Sequence, residues 1–227
     1  IEMIKYFFDV EQGTEEWLSM RCGILTASEM KLIVTTTLKQ ASNDKERAHL
    51  YELLGQRITG YVEPRYIGDD MLRGQWDEVE ARIKYREHFA PVTECGFVTN
   101  DDHGFVIGYS PDGIVGNDGL IECKSRRQKF QVETISTDQV PAEYMLQLQT
   151  GLLVTGRQWI DFVSYCGGMP MYVKRVFPDA AIQGAILDAA RSFEARIAVR
   201  LEEYREALAR QPVLIETERT NEEEITA

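Results

Sequence analysis

The order of apolar and polar positions along the chain predicts helices that alternate with short strands. Residues 14–20 form a short helix anchored by Trp17 and Leu18. Thr26-Ala27-Ser28-Glu29 has the form of a helix start, with Thr26 at the cap and Glu29 three residues later. Over 44–59, Leu50, Leu53, Leu54 and Ile58 recur at helical spacing, opened by Asp44 and closed by Gly60. The next helix is expected from Gly74 to Phe89, with Trp76, Val79 and Ile83 as its apolar stripe, Glu78 beside the stripe and Pro91 past its end. Strands are expected at 92–98, 105–109, 112–116 and 119–124. A helix at 142–155 follows Pro141, with Met145, Leu148 and Leu152 on one face. Strands return at 159–165 and 171–177, and the alanine- and leucine-rich segment 179–210 is helical. This order describes an α/β domain over 1–212, a mixed central sheet flanked by helices, followed by an acidic, flexible tail over 213–227.

Composition changes this picture little. The 227 residues suffice for one substantial core and are too few for two comfortable domains. Hydrophobic residues make up 44% and charged residues 27%, ordinary values for a globular chain, and no apolar run approaches the roughly 18 residues of a membrane span. The start of the chain lacks the long apolar stretch of a signal peptide. Cys22, Cys95, Cys123 and Cys166 are scattered and form no CxxC pair, which argues against a cysteine-type zinc site or a disulfide framework and fits a reducing cytoplasm.

Charge does change it. The net charge of −12 is the wrong sign for a protein that binds nucleic acid over its whole surface. Some of the acid lies in the tail, at Glu216, Glu218, Glu222, Glu223 and Glu224, while Lys124, Arg126, Arg127 and Lys129 cluster within six residues. DNA binding, if it occurs, uses a local basic patch or an enclosed channel.

The segment richest in chemistry is Ser110-Pro111-Asp112-Gly113, followed by Glu122-Cys123-Lys124. Ile114, Val115, Leu120 and Ile121 make two short paired strands, turned by Asn117-Asp118-Gly119. Alternation sends Glu122 and Lys124 to one face and Ile121 and Cys123 to the other, and a hairpin brings Asp112 near the first pair. The plain alternative is a surface hairpin with scattered charges. The apolar flanks argue for burial, and a buried carboxylate must be paired, hydrogen-bonded or metal-bound. All-oxygen ligation selects Mg²⁺ or Mn²⁺ over zinc and suits phosphodiester cleavage. Glu78 is a third candidate acid, although a surface pair with Arg82 is the commoner use of such spacing. Gln147 is placed to orient a water or phosphate oxygen, or is a satisfied core amide. Arg21 and Ser28, around a helix start, make a chemically sound anion pocket, although a capping hydroxyl and a surface arginine are the commoner use of such residues. His49, His88 and His103 share no metal-ligand spacing, and neither a GxSxG serine nor a P-loop is present.

These segments together resemble the phage lambda exonuclease family, the alkaline exonucleases of phage recombination (YqaJ-like viral recombinases), with a restriction-endonuclease-like core. The resemblance runs from about residue 11 to residue 177. It rests on Glu16-Trp17-Leu18-Ser19-Met20-Arg21, Gly23-Ile24-Leu25-Thr26-Ala27-Ser28-Glu29, Gly74-Gln75-Trp76-Asp77-Glu78, the Ser110 and Glu122 segments, and Tyr144-Met145-Leu146-Gln147-Leu148-Gln149, all in family order.

The resemblance implies that Asp112, Glu122 and the backbone carbonyl of Cys123 hold Mg²⁺, two ions with Mn²⁺ as a substitute. Lys124 would position or activate the attacking water, Glu78 would complete the acidic cluster, and Gln147 would orient Lys124 or the nucleophile. Arg21, Ser28 and Ser110 would grip a 5′-phosphate, with Arg126, Arg127 and Lys129 competing for one further basic position. Met71 or Leu72 would fall where the family has an apolar wedge that splits the duplex. An aromatic residue found one turn after the glutamine in related nucleases is replaced here by Gly151. The implied activity is a Mg²⁺-dependent 5′→3′ exonuclease that degrades one strand of linear duplex DNA to mononucleotides. It would act in the bacterial cytoplasm as a homotrimeric ring beside a phage-type single-strand annealing protein. An endonuclease on the same core is the alternative.

Overall fold

The computed structural model describes residues 3–64, 68–211 and 213–219. Glu222, Glu223 and Glu224 of the expected tail lie outside the described residues, and 213–219 contain neither helix nor strand.

Two four-stranded mixed sheets carry the fold. In the first, β1 (Ile4–Phe7) pairs antiparallel with β3 (Phe97–Asn100), which pairs antiparallel with β4 (Ile107–Tyr109), and β4 runs parallel to β2 (Leu25–Thr26). In the second, β5 (Gly113–Val115) and β6 (Gly119–Ser125) form the predicted hairpin, β6 runs parallel to β7 (Trp159–Tyr165), and β7 pairs antiparallel with β8 (Tyr172–Val176). Only Ser110, Pro111 and Asp112 separate β4 from β5, so Asp112 sits at the junction of the sheets.

A parallel β6–β7 pair needs a long crossover. Two helices supply it, α5 (Gln128–Thr137) and α6 (Ala142–Thr155). The latter ends at Gly60's counterpart in role, Gly156, which adopts φ 66° as a left-handed cap. Leu148 and Leu152 of α6 enter the main core with Leu25, Ile107, Leu120 and Phe162. Ile186, Ala190, Phe193 and Ile197 of the long helix α7 (Ala180–Arg210) close that core from outside. The opposite face of β6 buries Ile121 and Cys123 in a second cluster with Val163, Ala81 and Tyr85. Strand alternation therefore places Glu122 and Lys124 on the α6 side, as the sequence pattern requires.

The earlier helices are α1 (Glu15–Arg21), the four-residue α2 (Met30–Ile33), α3 (Asp44–Thr59) and α4 (Asp69–His88). Asn43, rather than Asp44, caps α3, its side-chain oxygen accepting the Glu46 N–H at 3.0 Å. Gly60 ends that helix at φ 65°. Thr26 precedes only a turn of 3₁₀ helix and makes no capping bond to the backbone; its hydroxyl donates to Glu29 Oε2 at 2.9 Å instead.

The expected apolar stripe of α4 is wrong. Trp76, Val79 and Ile83 are exposed, Trp76 at 74%. The inward face carries Ala81 and Tyr85, with Asp77, Glu78 and Arg82 partly buried beside them. Small Ala81 lets the helix approach the sheet, and the Tyr85 hydroxyl reaches Asp161 Oδ2 on β7 at 2.6 Å. Asp161 in turn receives Arg175 from β8 at 2.8 Å, so burial of the acid is compensated. The helix also starts earlier than Gly74, and β3 is confined to Phe97–Asn100 where 92–98 was expected. The strands β1 and β2 and helix α5 have no counterpart in the pattern reading.

Candidate active site

Four elements place the cluster. Asp112 comes from the β4–β5 junction, Glu122 and Lys124 from β6, Gln147 from α6 and Glu78 from α4. Asp112 Oδ2 accepts the Cys123 N–H at 2.6 Å, which fixes the carboxylate against the next strand. Glu122 is 2% exposed and fully engaged: Oε1 accepts from Lys124 Nζ at 2.7 Å and from Gln147 Nε2 at 2.6 Å, and Oε2 accepts from the Tyr109 hydroxyl at 2.6 Å. The structure thus brings together Asp112, Glu122, Lys124 and Gln147, and Glu78 joins them electrostatically.

Burial and mutual repulsion govern the charges. Desolvation first, then Glu122 and Glu78, pushes Asp112 well above the usual carboxylate range. Glu78 is also raised, again by burial first; Glu122 and Asp77 add to this, while Lys124 and Arg82 oppose it. Burial works to lower Lys124, but the carboxylates Glu122, Asp112 and Glu78 outweigh it and hold the ammonium protonated to high pH. As an ammonium it donates a hydrogen bond to Glu122 and is placed to balance negative charge.

Tyr109 was not identified from sequence. It reads as an ordinary strand aromatic, and its role depends on α6. Its ring lies against Gly151, where an added Cβ would stand 2.8 Å from Tyr109 Cζ. The space that an aromatic one turn after Gln147 would fill is therefore occupied by an aromatic from β4. Arg82, a surface partner of Glu78 in the plain alternative, has its Nη1 3.4 Å from the Asp112 carbonyl oxygen. Asp77, one residue before Glu78, accepts from the Ser125 hydroxyl and pins α4 over the end of β6.

A cleft of about 1030 Å³ opens beside the cluster, lined by Trp17, Arg21, Thr26, Glu29, Glu78 and Arg82 among others. The Arg21 guanidinium stacks over the Trp17 ring at 4.2 Å and donates to Thr26 Oγ1 at 3.3 Å. Exposed Ser28 lies beside the same hydroxyl, Oγ to Oγ1 3.4 Å. Ser110 is held from below, its Oγ accepting Trp17 Nε1 at 2.9 Å. Gly23 makes the tight turn between Arg21 and β2 at φ 69°, and a side chain there would strike Arg57, whose Nε donates to the Gly23 carbonyl at 2.8 Å. Met71 lines the cleft, whereas Leu72 is exposed outside its lining.

The three basic candidates after Lys124 separate by burial. Arg126 is 7% exposed and committed to Tyr144 Oη at 2.6 Å and Glu143 Oε1 at 3.0 Å. Arg127, at the start of α5, and Lys129 are exposed.

No curated protein sequence matches the chain. Among solved structures, an alkaline exonuclease from Laribacter hongkongensis, LHK-Exo, is 34% identical. It superposes with a TM-score of 0.76 over 86% of this chain and 98% of its own. The same enzyme in complex with dAMP gives 35% identity and a TM-score of 0.75 over the same shares. A phage-related exonuclease from Haemophilus somnus 129PT, at 13% identity and a TM-score of 0.52 over 78% of this chain and 96% of its own, shares the fold. This is the restriction-endonuclease-like architecture expected from the sequence. The sequence profile of the YqaJ-like viral recombinase domain spans residues 16–158, from the first residue of the Glu16–Arg21 motif to beyond Gln147, and the chain belongs to that family.

Proposed function

We propose that the protein is a Mg²⁺-dependent nuclease that degrades linear duplex DNA exonucleolytically, 5′→3′, releasing mononucleotides and leaving a 3′ single strand. The observation that carries the proposal is the cluster of buried Asp112 and Glu122 with partly buried Lys124, beside a cleft lined by both Glu78 and Arg21. The dAMP found on LHK-Exo is a nucleoside monophosphate, the product class expected here.

The residues fit a hard divalent cation. Glu122 raises the proton affinity of both Asp112 and Glu78, and Glu78 adds to the effect on Asp112, an arrangement that a cation relieves. Their donors are oxygens, to which the Cys123 carbonyl adds another, and this set favours Mg²⁺ or Mn²⁺. When bound, the metal supplies a water of lowered pKa and stabilises the leaving 3′-oxygen.

The chain's own residues do the rest. Gln147 and Tyr109 fix the Glu122 carboxylate from two sides. Lys124, kept as an ammonium, orients the attacking water and balances charge that develops on the phosphate. Arg21, with Thr26 and Ser28, binds the terminal 5′-phosphate, so the scissile bond lies at a set distance from the end. Arg127 and Lys129 are exposed and would contact the strand beyond, and Met71 is the wedge residue that faces the cleft.

A net charge of −12 is reconciled with DNA binding if the basic surface lines an enclosed channel, which a homotrimeric ring provides. The exposed apolar face of α4, with Leu72, Trp76, Val79 and Ile83, supports assembly because isolated domains seldom leave such a stripe uncovered. A phage-type single-strand annealing protein is the proposed recipient of the 3′ strand.

The test is digestion of linear duplex carrying 5′-phosphate or 5′-hydroxyl ends, with end-specific labels, with and without Mg²⁺. Mononucleotide release from the 5′ end, faster on phosphorylated ends and abolished by chelation, is expected. Efficient cutting of covalently closed circular duplex would instead establish an endonuclease.

A further inference from the structure

A second cluster of metal-binding side chains lies outside the acidic centre. His49 on α3 is 2% exposed, and its ring stacks on Phe193 of α7 at 5.7 Å. Its Nδ1 lies 3.0 Å from Glu52 Oε2. Its Nε2 is shielded from solvent, has no hydrogen-bond partner among the described residues, and faces Glu29 Oε2 at 3.7 Å. One ligand atom from each of Glu29, His49 and Glu52 lies within 4.8 Å of the others.

A buried nitrogen without a partner is unfavourable and calls for a physical reason. At 3.7 Å the Nε2–Glu29 gap is too long for a hydrogen bond. It is the spacing of two donors on one ion: with bonds of about 2.1 Å, such a pair subtends roughly 120°. Glu52 on the other ring nitrogen is placed as the carboxylate that accepts Nδ1–H and leaves Nε2 with its lone pair free to ligate. The glutamates supply oxygen, but the imidazole selects a borderline transition metal over Mg²⁺.

We propose that Nε2 of His49 and the Glu29 carboxylate bind one divalent ion of the zinc and cobalt class, with Glu52 orienting the imidazole. Glu29 lines the cleft, so water completes the coordination from that side. The site couples α3 to the end-binding segment, because Glu29 Oε2 also accepts the Thr26 hydroxyl that receives Arg21. A divalent ion bound there makes the local charge more positive, which favours an incoming phosphate. That consequence rests on the DNA-end reading above, while the metal site itself does not.

Co²⁺ is the probe, because it reports coordination by visible absorption. It is titrated into the full chain carrying Asp112→Asn and Glu122→Gln, which removes two of the three carboxylates of the all-oxygen centre, and binding is followed by absorption and calorimetry. One equivalent with a d–d band is expected, and affinity should fall by about tenfold or more when His49→Gln or Glu29→Gln is added. Absence of binding at millimolar Co²⁺ overturns the proposal. So does unchanged affinity in Glu29→Gln, which settles the matter even if the buried His49→Gln variant fails to fold. Because these proteins lack Asp112 and Glu122, the result is independent of whether the chain digests DNA.

Discussion

Replacing Tyr109 by phenylalanine removes one oxygen atom from the floor of the site. The ring, packed over Gly151 and within the main core, stays in place. What disappears is the 2.6 Å bond to Glu122 Oε2, between two groups that are 1% and 2% exposed. A hydrogen bond to a buried charged group is worth about 1.5–3 kcal/mol, and the carboxylate oxygen left behind has no water to replace it. In a chain of this size each kcal/mol moves the melting temperature by about 2–4 °C, so metal-free Tyr109→Phe should melt roughly 3–12 °C below wild type. Glu122 would also lose one of its two lateral restraints, and Mg²⁺-dependent digestion should fall by about 10–100-fold, the usual cost of losing an orienting partner of a ligand. Calorimetry in chelator and a nucleotide-release assay in Mg²⁺ read the two effects. A variant that melts with wild type and digests at the wild-type rate would show that Tyr109 does not hold Glu122.

Three further outcomes are expected. Gly151→Ala pushes a methyl into the Tyr109 ring and should cost about 1–3 kcal/mol by overpacking; combined with Tyr109→Phe, its losses should not add, which a double-mutant thermal cycle measures. Arg21→Ala should narrow the rate difference between 5′-phosphate and 5′-hydroxyl ends while leaving chelator sensitivity intact, and an undiminished preference would relocate the phosphate pocket. Asp112 and Glu78 hold protons to higher pH in the folded chain than in the unfolded one. Between the ordinary carboxylate values near 4 and those raised values the folded state binds more protons at these two groups, so their contribution to metal-free stability is full at low pH and is lost as pH rises through the window. Mg²⁺ binds the ionised carboxylates, so its stabilising effect should grow with pH; melting curves with and without Mg²⁺ from about pH 5 to pH 9 check this, and a pH-independent increment would contradict it.

Much of the site was legible because local rules determine it. The Asn117-Asp118-Gly119 turn and the two-residue alternation of β6 place Glu122 and Lys124 together whatever surrounds them. Helix α6 matches the expected 142–155 residue for residue, since Pro141 opens it and an apolar face runs along it. The α4 face was misread because periodicity ranks side chains by hydrophobicity, while the packing here was decided by size and by a partner. Ala81 allows close approach, Tyr85 finds Asp161 on β7, and larger Trp76 is left outside. Tyr109, Trp17 and Arg82 share one cause of invisibility. Each gains its role from a contact across 13 to 93 residues, to Glu122, to Ser110 and to the Asp112 carbonyl, and no local pattern encodes such contacts. His49 was dismissed for lack of ligand spacing along the chain, yet Glu29 reaches it from the turn before α2.

The central claim is that Asp112 and its neighbours hold the ion that drives strand cleavage. Nucleotide release from 5′-phosphorylated linear duplex, measured against Mg²⁺ concentration for wild type and Asp112→Asn, tests it directly. Saturable Mg²⁺-dependent release by wild type, and background release by an Asp112→Asn protein that melts no lower than wild type in chelator, is the predicted result. Mg²⁺-dependent release that survives in Asp112→Asn would contradict it.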